Sequence, residues 1–458
     1  MFCQREGKNC GVMAGQGGAW NRALPRVGES GSLVHRMEVL ASSESVGKRL
    51  CRSCGGALGR PILDLGIQPL ANNLPRPEDL ASGRPEPCFP LRLAVCPACW
   101  LMQITEVVPP VELFGNYLYF SSFSDAMLRH ARAAAGRLMA NERLGAGSFL
   151  VEVASNDGYL LRNFVEAGVP CLGIEPASNV AEVAVKRGIP TLNEFFGLAL
   201  ARRLASEGRR ADVVLGNNVF AHAPDTNDFV AGLGALLKPG GVAVLEFPYG
   251  CELVEQLEFD TIYHEHVFYF TLSALLPLFA RHGMEVTDVE RMAIHGGSLR
   301  LSAAHAGTRA VMPSVAGLLD EERGKGVCGA GYYEAFAERV GKLREALLGL
   351  LREIQGRGQS IAAYGASAKG STLLNFYGLG RGGMDCIEFV ADRSTAKQGR
   401  LTPGTHLPIV GPEALRERKP DYTLLLTWNF AEEILGQQAA YRAAGGRFIV
   451  PLPVVRVV

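Results

Sequence analysis

The chain has no excess of charge of either sign: across 458 residues, 46 basic side chains balance 46 acidic ones. It therefore projects no large field, and neither nucleic acid nor an anionic membrane surface is expected as a partner. No run of 18 apolar residues occurs, so no membrane span is expected. The opening MFCQREGKNC is polar and lacks the apolar stretch of a signal peptide. These absences predict a cytoplasmic protein. The segment Tyr263-His-Glu-His266 lacks the HExxH spacing that sets two histidines on one helix face, which argues against a metal there.

What is present begins with sulfur. The 11 cysteines of a chain without a secretion signal suggest a reducing compartment and metal binding rather than disulfides. Four of them form two tight pairs, Cys51-Arg-Ser-Cys54 and Cys96-Pro-Ala-Cys99. Two CxxC pairs bring together four soft thiolates, the set that a tetrahedral structural Zn²⁺ takes. Between them lie proline-rich turns (Pro75, Pro77, Pro85, Pro87, Pro90). So small a domain has little core of its own, and a metal would supply the missing stability. Cys3, Cys10, Cys88, Cys171, Cys251, Cys328 and Cys386 have no identifiable partner.

The length suggests two or three domains. Residues 1–45 are rich in Gly and Ser without apolar periodicity and read as a disordered extension, in which Met37 is an alternative start to Met1. Residues 46–115 hold the cysteine pairs. Over 116–330 the pattern becomes α/β: a helix at Ala126–Leu144, then strands at Ser148–Ala154, Cys171–Glu175, Ala211–Leu215 and Gly241–Phe247 with helical stretches between. A turn, Lys238-Pro-Gly-Gly241, feeds the last of them. Such alternation predicts a parallel sheet with helices on both faces. A long amphipathic helix, Ala335–Gln355, leads into a second Rossmann-like α/β unit over 331–458. Its strands are expected at Ser360–Tyr364, Cys386–Ala391, Tyr422–Thr427 and Arg447–Val450.

The first α/β strand runs through Val151-Glu-Val-Ala-Ser-Asn-Asp-Gly158 into a helix near Tyr159. Gly158 lets the backbone approach a ligand at the helix start, and Glu175, at the tip of the next strand, is placed to accept from both hydroxyls of a ribose. Dinucleotide enzymes and S-adenosylmethionine (AdoMet) methyltransferases share this logic. The methyltransferase is favoured, because the loop lacks GxGxxG and offers Asn156 and Asp157 instead of a bare phosphate cradle. Gly216-Asn-Asn-Val219 after the strand Ala211–Leu215 and the Pro-Gly turn before Gly241–Phe247 point the same way.

The order of motifs is recognisable at this point. The cysteine pairs, Glu152–Gly158, Asn218-Val-Phe-Ala-His222-Ala-Pro-Asp225, Glu246-Phe-Pro248, Tyr263-His-Glu-His266-Val-Phe-Tyr-Phe270 and His295-Gly-Gly-Ser-Leu-Arg300 resemble the deoxysugar C-methyltransferases, which act on nucleotide-linked keto-hexoses in antibiotic and surface-sugar pathways. Ala363-Tyr-Gly-Ala-Ser-Ala-Lys-Gly370, Asp392-Arg-Ser-Thr-Ala-Lys-Gln-Gly399 and Thr402-Pro-Gly-Thr-His-Leu-Pro-Ile409 also resemble that family, so the likeness covers about residues 48 to 455. It implies a small zinc domain, a central class I methyltransferase domain and a C-terminal Rossmann-like domain. It also implies AdoMet, held by Glu152, Asn156, Asp157, Gly158, Glu175, Asn217 and Asn218. Zinc would be structural, and the chain a monomer or homodimer.

The implied reaction methylates carbon beside a ketone, at C-3 (or C-5) of a dTDP-4-keto-deoxyhexose. A base must take the proton, a donor must hold the enolate oxygen, and the carbanion must lie in line with the methyl group. Resemblance makes His266 the base, with Glu265, Tyr263 and Tyr117 beside it. On a regular strand Glu265 would point away from His266, so both can line one pocket only on an irregular loop. His264 is the expected bystander. His222, just past the strand Ala211–Leu215, is a candidate to hold the C-4 oxygen. Backbone N–H groups after Tyr364, with Ser367 and Lys369, form a candidate diphosphate site, and Arg300 is a candidate phosphate or sugar contact. An NAD-dependent sugar-nucleotide oxidoreductase and a non-catalytic zinc-containing binding protein are the alternatives from other classes.

Overall fold

Three sheets, each built from hydrophobic runs, make up the chain in a computed structural model that describes residues 49–458 other than Arg84, 115–119, Ser124 and Arg381. The expected extension over 1–45, the alternative start Met37 and the candidate Tyr117 lie outside the described residues. Among the described residues no helix is long and apolar enough to cross a membrane.

The first sheet is antiparallel and carries both cysteine pairs at its end. Strands Leu63–Pro69, Cys88–Val95 and Met102–Ile104 pair in that order. Cys96–Cys99 forms the turn between the last two: Trp100 donates its N–H to the Cys96 carbonyl at 2.8 Å. The fourth strand of this sheet is Phe268–Tyr269, taken from far along the chain and paired with Met102–Ile104. Local periodicity could not reveal that pairing, because a two-residue strand has no period.

The second sheet runs, across its width, Thr191–Leu192, Cys171–Ile174, Leu150–Val153, Ala211–Asn217, Leu237–Pro248, Ser298–His305 and Met284–Met292. The first five are parallel, as the α/β alternation predicts. The last two add an antiparallel hairpin at the edge, which the expectation of an all-parallel sheet omitted. Gly296 and Gly297 make its turn, both at positive φ (95° and 127°). A Cβ on Gly296 would lie 2.3 Å from Glu258 Oε1, so a glycine there leaves room for that buried carboxylate.

Helix Ala330–Gly356 leads to the third sheet. Ile409–Val410, Val390–Ala391, Ile361–Tyr364, Tyr422–Leu425 and Arg447–Val450 are parallel, and Arg456–Val457 closes the edge antiparallel. The strand expected at Cys386–Ala391 shrinks to Val390–Ala391. Side chains bolt the parts together. Asn227 and Arg281 hold the Ser53 carbonyl beside the first cysteine pair, at 3.0 and 2.9 Å. His406 meets Glu86 at 2.9 Å.

Candidate active site

A cavity of about 810 Å³ opens where residues of all three sheets' surroundings converge. Asn156, Glu175, Asn217 and Asn218 line one wall, His222, Tyr263 and His266 a second, and Ser367, Lys369 and Lys397 a third. Asn72, from the zinc-bearing part, lines it as well.

The first wall follows from a strained turn. Leaving strand Leu150–Val153, the chain enters the left-handed region at Ala154, Asn156 and Gly158 (φ 53°, 51° and 77°). Gly158 is required twice over, since a Cβ there would also sit 2.7 Å from Ile189 Cγ1. The Glu175 carboxylate accepts the N–H of Asn156 at 2.9 Å and that of Ala177 at 2.8 Å, which fixes both loops to each other. Burial raises its pKa against these two bonds. Glu152 lies beneath the loop, 1 % exposed, and does not line the cavity. Neither of its carboxylate oxygens meets a partner among the described residues. Burial, then the charges of Glu175 and Asp157, push its pKa well up. Asp157 also turns away from the cavity: its carboxylate pairs with Arg187 at 2.8 Å and accepts from the Ser122 hydroxyl. It pins the loop from behind through those two contacts.

The second wall is an irregular loop, as expected, but of the pair Glu265 and His266 only His266 lines the cavity. His266 Nδ1 lies 3.0 Å from the Thr261 carbonyl, which can only accept, so Nδ1 carries the proton. Nε2 is therefore a lone-pair acceptor and takes the Tyr263 hydroxyl at 2.9 Å. The His222 ring stands edge-on to His266, with centroids 4.7 Å apart. Desolvation pushes the His222 pKa down to about 4 against a hydrogen bond to the Glu265 backbone, so it is neutral near pH 7. Glu265 points out of the cavity and accepts from Asn72 Nδ2 at 2.6 Å. Burial raises its pKa to about 7, opposed by that bond. His264 packs edge-on against Phe89, away from the cavity.

The third wall belongs to helix Ala368–Tyr377, capped by Ser367, whose Oγ accepts from the Gly370 N–H at 3.1 Å. Lys397 joins it, its Nζ 2.8 Å from the Ala366 carbonyl. Tyr364 is instead buried in the core of the third sheet. Arg300 is the clearest displacement from expectation. Strand register sets it opposite Glu246 on one side and Glu290 on the other, and it pairs with them at 2.8 and 2.9 Å. It lines a different cavity of about 540 Å³. Asn72, Thr261 and Lys397 were missed as candidates. Of these, Lys397 alone sat within a motif that signalled it.

The residues fit both expected groups. Sγ atoms of Cys51 and Cys99 lie 3.6 Å apart, and those of Cys54 and Cys96 3.5 Å. All four lie within 4.8 Å of one another. Tetrahedral zinc at ~2.3 Å from each thiolate spaces sulfurs by about 3.8 Å. Gly56 leaves room beside them, since a Cβ would lie 3.3 Å from Cys54 Sγ. For AdoMet, the left-handed loop and the Glu175 carboxylate, fixed by the N–H groups of Asn156 and Ala177, form a polar end suited to a ligand bearing a ribose.

Comparison with known proteins agrees. Family profiles match in chain order: a zinc binding domain over 51–114, a methyltransferase domain over 127–289 and a C-methyltransferase C-terminal domain over 293–453. The C-methyltransferase NovU of Streptomyces niveus is 40 % identical over 409 residues, which are 89 % of this chain and 96 % of NovU. An uncharacterized methyltransferase of Mycobacterium leprae is 30 % identical over 101 residues, 22 % of this chain and 37 % of its own. The magnesium protoporphyrin IX methyltransferase ChlM of Synechocystis PCC 6803, solved with bound SAH, is 13 % identical. That match covers 43 % of this chain and 92 % of ChlM, at a TM-score of 0.32. A relative so similar along nearly the whole length shows that this chain belongs to the C-methyltransferase family: it is an AdoMet-dependent methyltransferase with a Cys₄ zinc site.

Proposed function

We propose that the enzyme methylates the carbon beside the ketone of a nucleotide-diphospho-4-keto-6-deoxyhexose, at C-3, through an enolate. The observation that carries this reading is the shared cavity. Its three walls offer a loop suited to AdoMet, a histidine with a defined lone pair, and a basic helix start suited to a diphosphate. The likeness to NovU supports carbon as the methyl acceptor.

AdoMet, when bound by the Asn156–Gly158 loop, Glu175 and the Asn217–Asn218 turn, supplies an electrophilic methyl group. The side chains do the rest. In the free enzyme Tyr263 donates to His266 Nε2. A 4-keto oxygen arriving beside Tyr263 takes over that hydrogen bond and frees the Nε2 lone pair for the C-3 proton. The Tyr263 hydroxyl then faces the oxygen on which enolate charge develops, where a fixed donor contributes most. The Thr261 carbonyl keeps the ring oriented and stabilises the imidazolium that forms. His222 stays neutral and serves as a hydrogen-bonding wall rather than a proton carrier. Ser367, Lys369 and Lys397 hold the diphosphate and so fix the sugar's reach.

The test combines product NMR with isotope exchange. Carbon-13-labelled AdoMet and a dTDP-4-keto-6-deoxyhexose should give a new methyl carbon bonded to C-3. Transfer to oxygen or nitrogen would reject the reading, and a C-5 product would correct its position. His266→Ala should keep AdoMet affinity and lose solvent exchange of the C-3 hydrogen.

A further inference from the structure

We propose that Asp260 and Trp428 act as positioning residues that hold Lys369 against the substrate's diphosphate, and so couple nucleotide binding to the loop bearing Tyr263 and His266. The inference rests on the diphosphate reading of the helix start at Ser367. It begins from a buried acid that the reaction does not use.

Asp260 is 0 % exposed and lies in the turn Phe259–Thr261, just ahead of Tyr263 in the chain. Its Oδ2 accepts the indole N–H of Trp428 at 2.7 Å. Trp428 belongs to the other side of the cavity: it opens the turn Trp428–Phe430 after strand Tyr422–Leu425. The face of its ring carries the ammonium of Lys369, with Nζ 4.8 Å from the centroid. Lys369 stands in the first turn of helix Ala368–Tyr377 and lines the cavity. The chain acid, indole, lysine thus crosses from the catalytic loop to the basic helix start.

Simple adhesion does not account for this arrangement. Adhesion is already supplied beside it, where Phe259 stacks on Tyr377 at 5.4 Å and the Thr372 hydroxyl donates to the Ile262 carbonyl at 3.1 Å. A fully buried carboxylate is costly, and Oδ1 of Asp260 meets no partner among the described residues. An apolar residue would join these surfaces at less cost. What the carboxylate adds is orientation and polarity. It fixes the plane of the indole, and a ring whose N–H is donated to an anion holds a cation more strongly on its face. Lysine is a point charge on a flexible stem, so a fixed platform converts it into a defined contact. The loop that carries Asp260 also carries His266, so the acid–indole–lysine chain ties the diphosphate anchor to the base across three elements. A sugar bound through its nucleotide would then present a constant carbon to Nε2.

The experiment measures thymidine diphosphate binding by calorimetry on the full-length, zinc-loaded enzyme, for wild type, Lys369→Ala, Trp428→Phe, Asp260→Ala and the Trp428→Phe/Asp260→Ala double variant. Trp428→Phe keeps an aromatic face, though a smaller and weaker one for a cation, and loses the N–H donor. It and Asp260→Ala should each weaken binding about tenfold, and the double variant should be within about twofold of either, because both act through one contact. AdoMet affinity should be unchanged, and KM for the nucleotide sugar should rise more than kcat falls. The inference is overturned if Lys369→Ala weakens binding while Trp428→Phe binds as wild type, or if the two losses multiply in the double variant. Should Asp260→Ala fail to fold, Trp428→Phe decides alone. If wild type does not bind thymidine diphosphate, the diphosphate reading itself falls, and this inference with it.

Discussion

Asn72 is remote in sequence from every catalytic candidate, yet its carboxamide lines the cavity and holds Glu265 at 2.6 Å. Truncating it leaves a buried carboxylate without that donor, a loss worth about 1–3 kcal/mol. Asn72→Ala should therefore lower kcat tenfold or more, while zinc content and AdoMet affinity stay at wild-type values (elemental analysis and calorimetry). A second residue makes a prediction in pH. Burial raises the Glu258 pKa to about 8, with Lys369 opposing and Asp260 and Glu252 assisting. In the unfolded chain the same group ionises near ~4.3. Between these values the folded state binds the extra proton, so its stability falls as pH rises. Glu258→Gln removes that penalty. Thermal melts should show the variant gaining on wild type from pH 5 to pH 9; parallel melting curves across that range would contradict the assignment.

At the scale of elements, the turn at Gly158 is the most sensitive point. Gly158→Ala meets both a φ of 77° and Ile189 at 2.7 Å. AdoMet affinity should drop more than tenfold with a loss of ~1–3 kcal/mol in stability, measured by calorimetry and denaturant melts. The same scale shows what could be read in advance. Buried strands such as Leu150–Val153 and Ala211–Asn217 announce themselves as apolar runs, and turn chemistry marks Gly158 and Ser367. Edge pairings carry no such mark. The hairpin of Met284–Met292 and Ser298–His305 places Arg300 between Glu246 and Glu290, and nothing in the motif around it reveals those partners. Asp157 was misread for a related reason. Sequence marks a turn as ligand-facing, but not which of its side chains faces the ligand. Asn72 was invisible because its meaning arises only when a loop from the zinc-bearing part meets Glu265 across the fold.

At the scale of the molecule, the Cys₄ site stands behind the cavity through the sheet it anchors. The turn at Cys96–Cys99 joins two strands of the first sheet, and that sheet takes Phe268–Tyr269 as its fourth strand, immediately after the loop of Tyr263 and His266. The Ile104 N–H also reaches the Val267 carbonyl at 3.0 Å. Cys51→Ser, or a strong chelator, should therefore abolish methyl transfer while AdoMet still binds the middle sheet, with metal content and calorimetry as the two readouts. Loss of AdoMet binding in step with zinc would instead mean that the parts unfold as one.

The borrowed strand Phe268–Tyr269 has a consequence during synthesis. Ribosomes deliver a chain from its N-terminus, and an N-terminal metal knuckle would ordinarily be finished early. Here its last edge stays open until more than half of the polypeptide has emerged. The knuckle can hold its metal in the meantime, but its sheet is completed only when the segment that follows His266 arrives beside it.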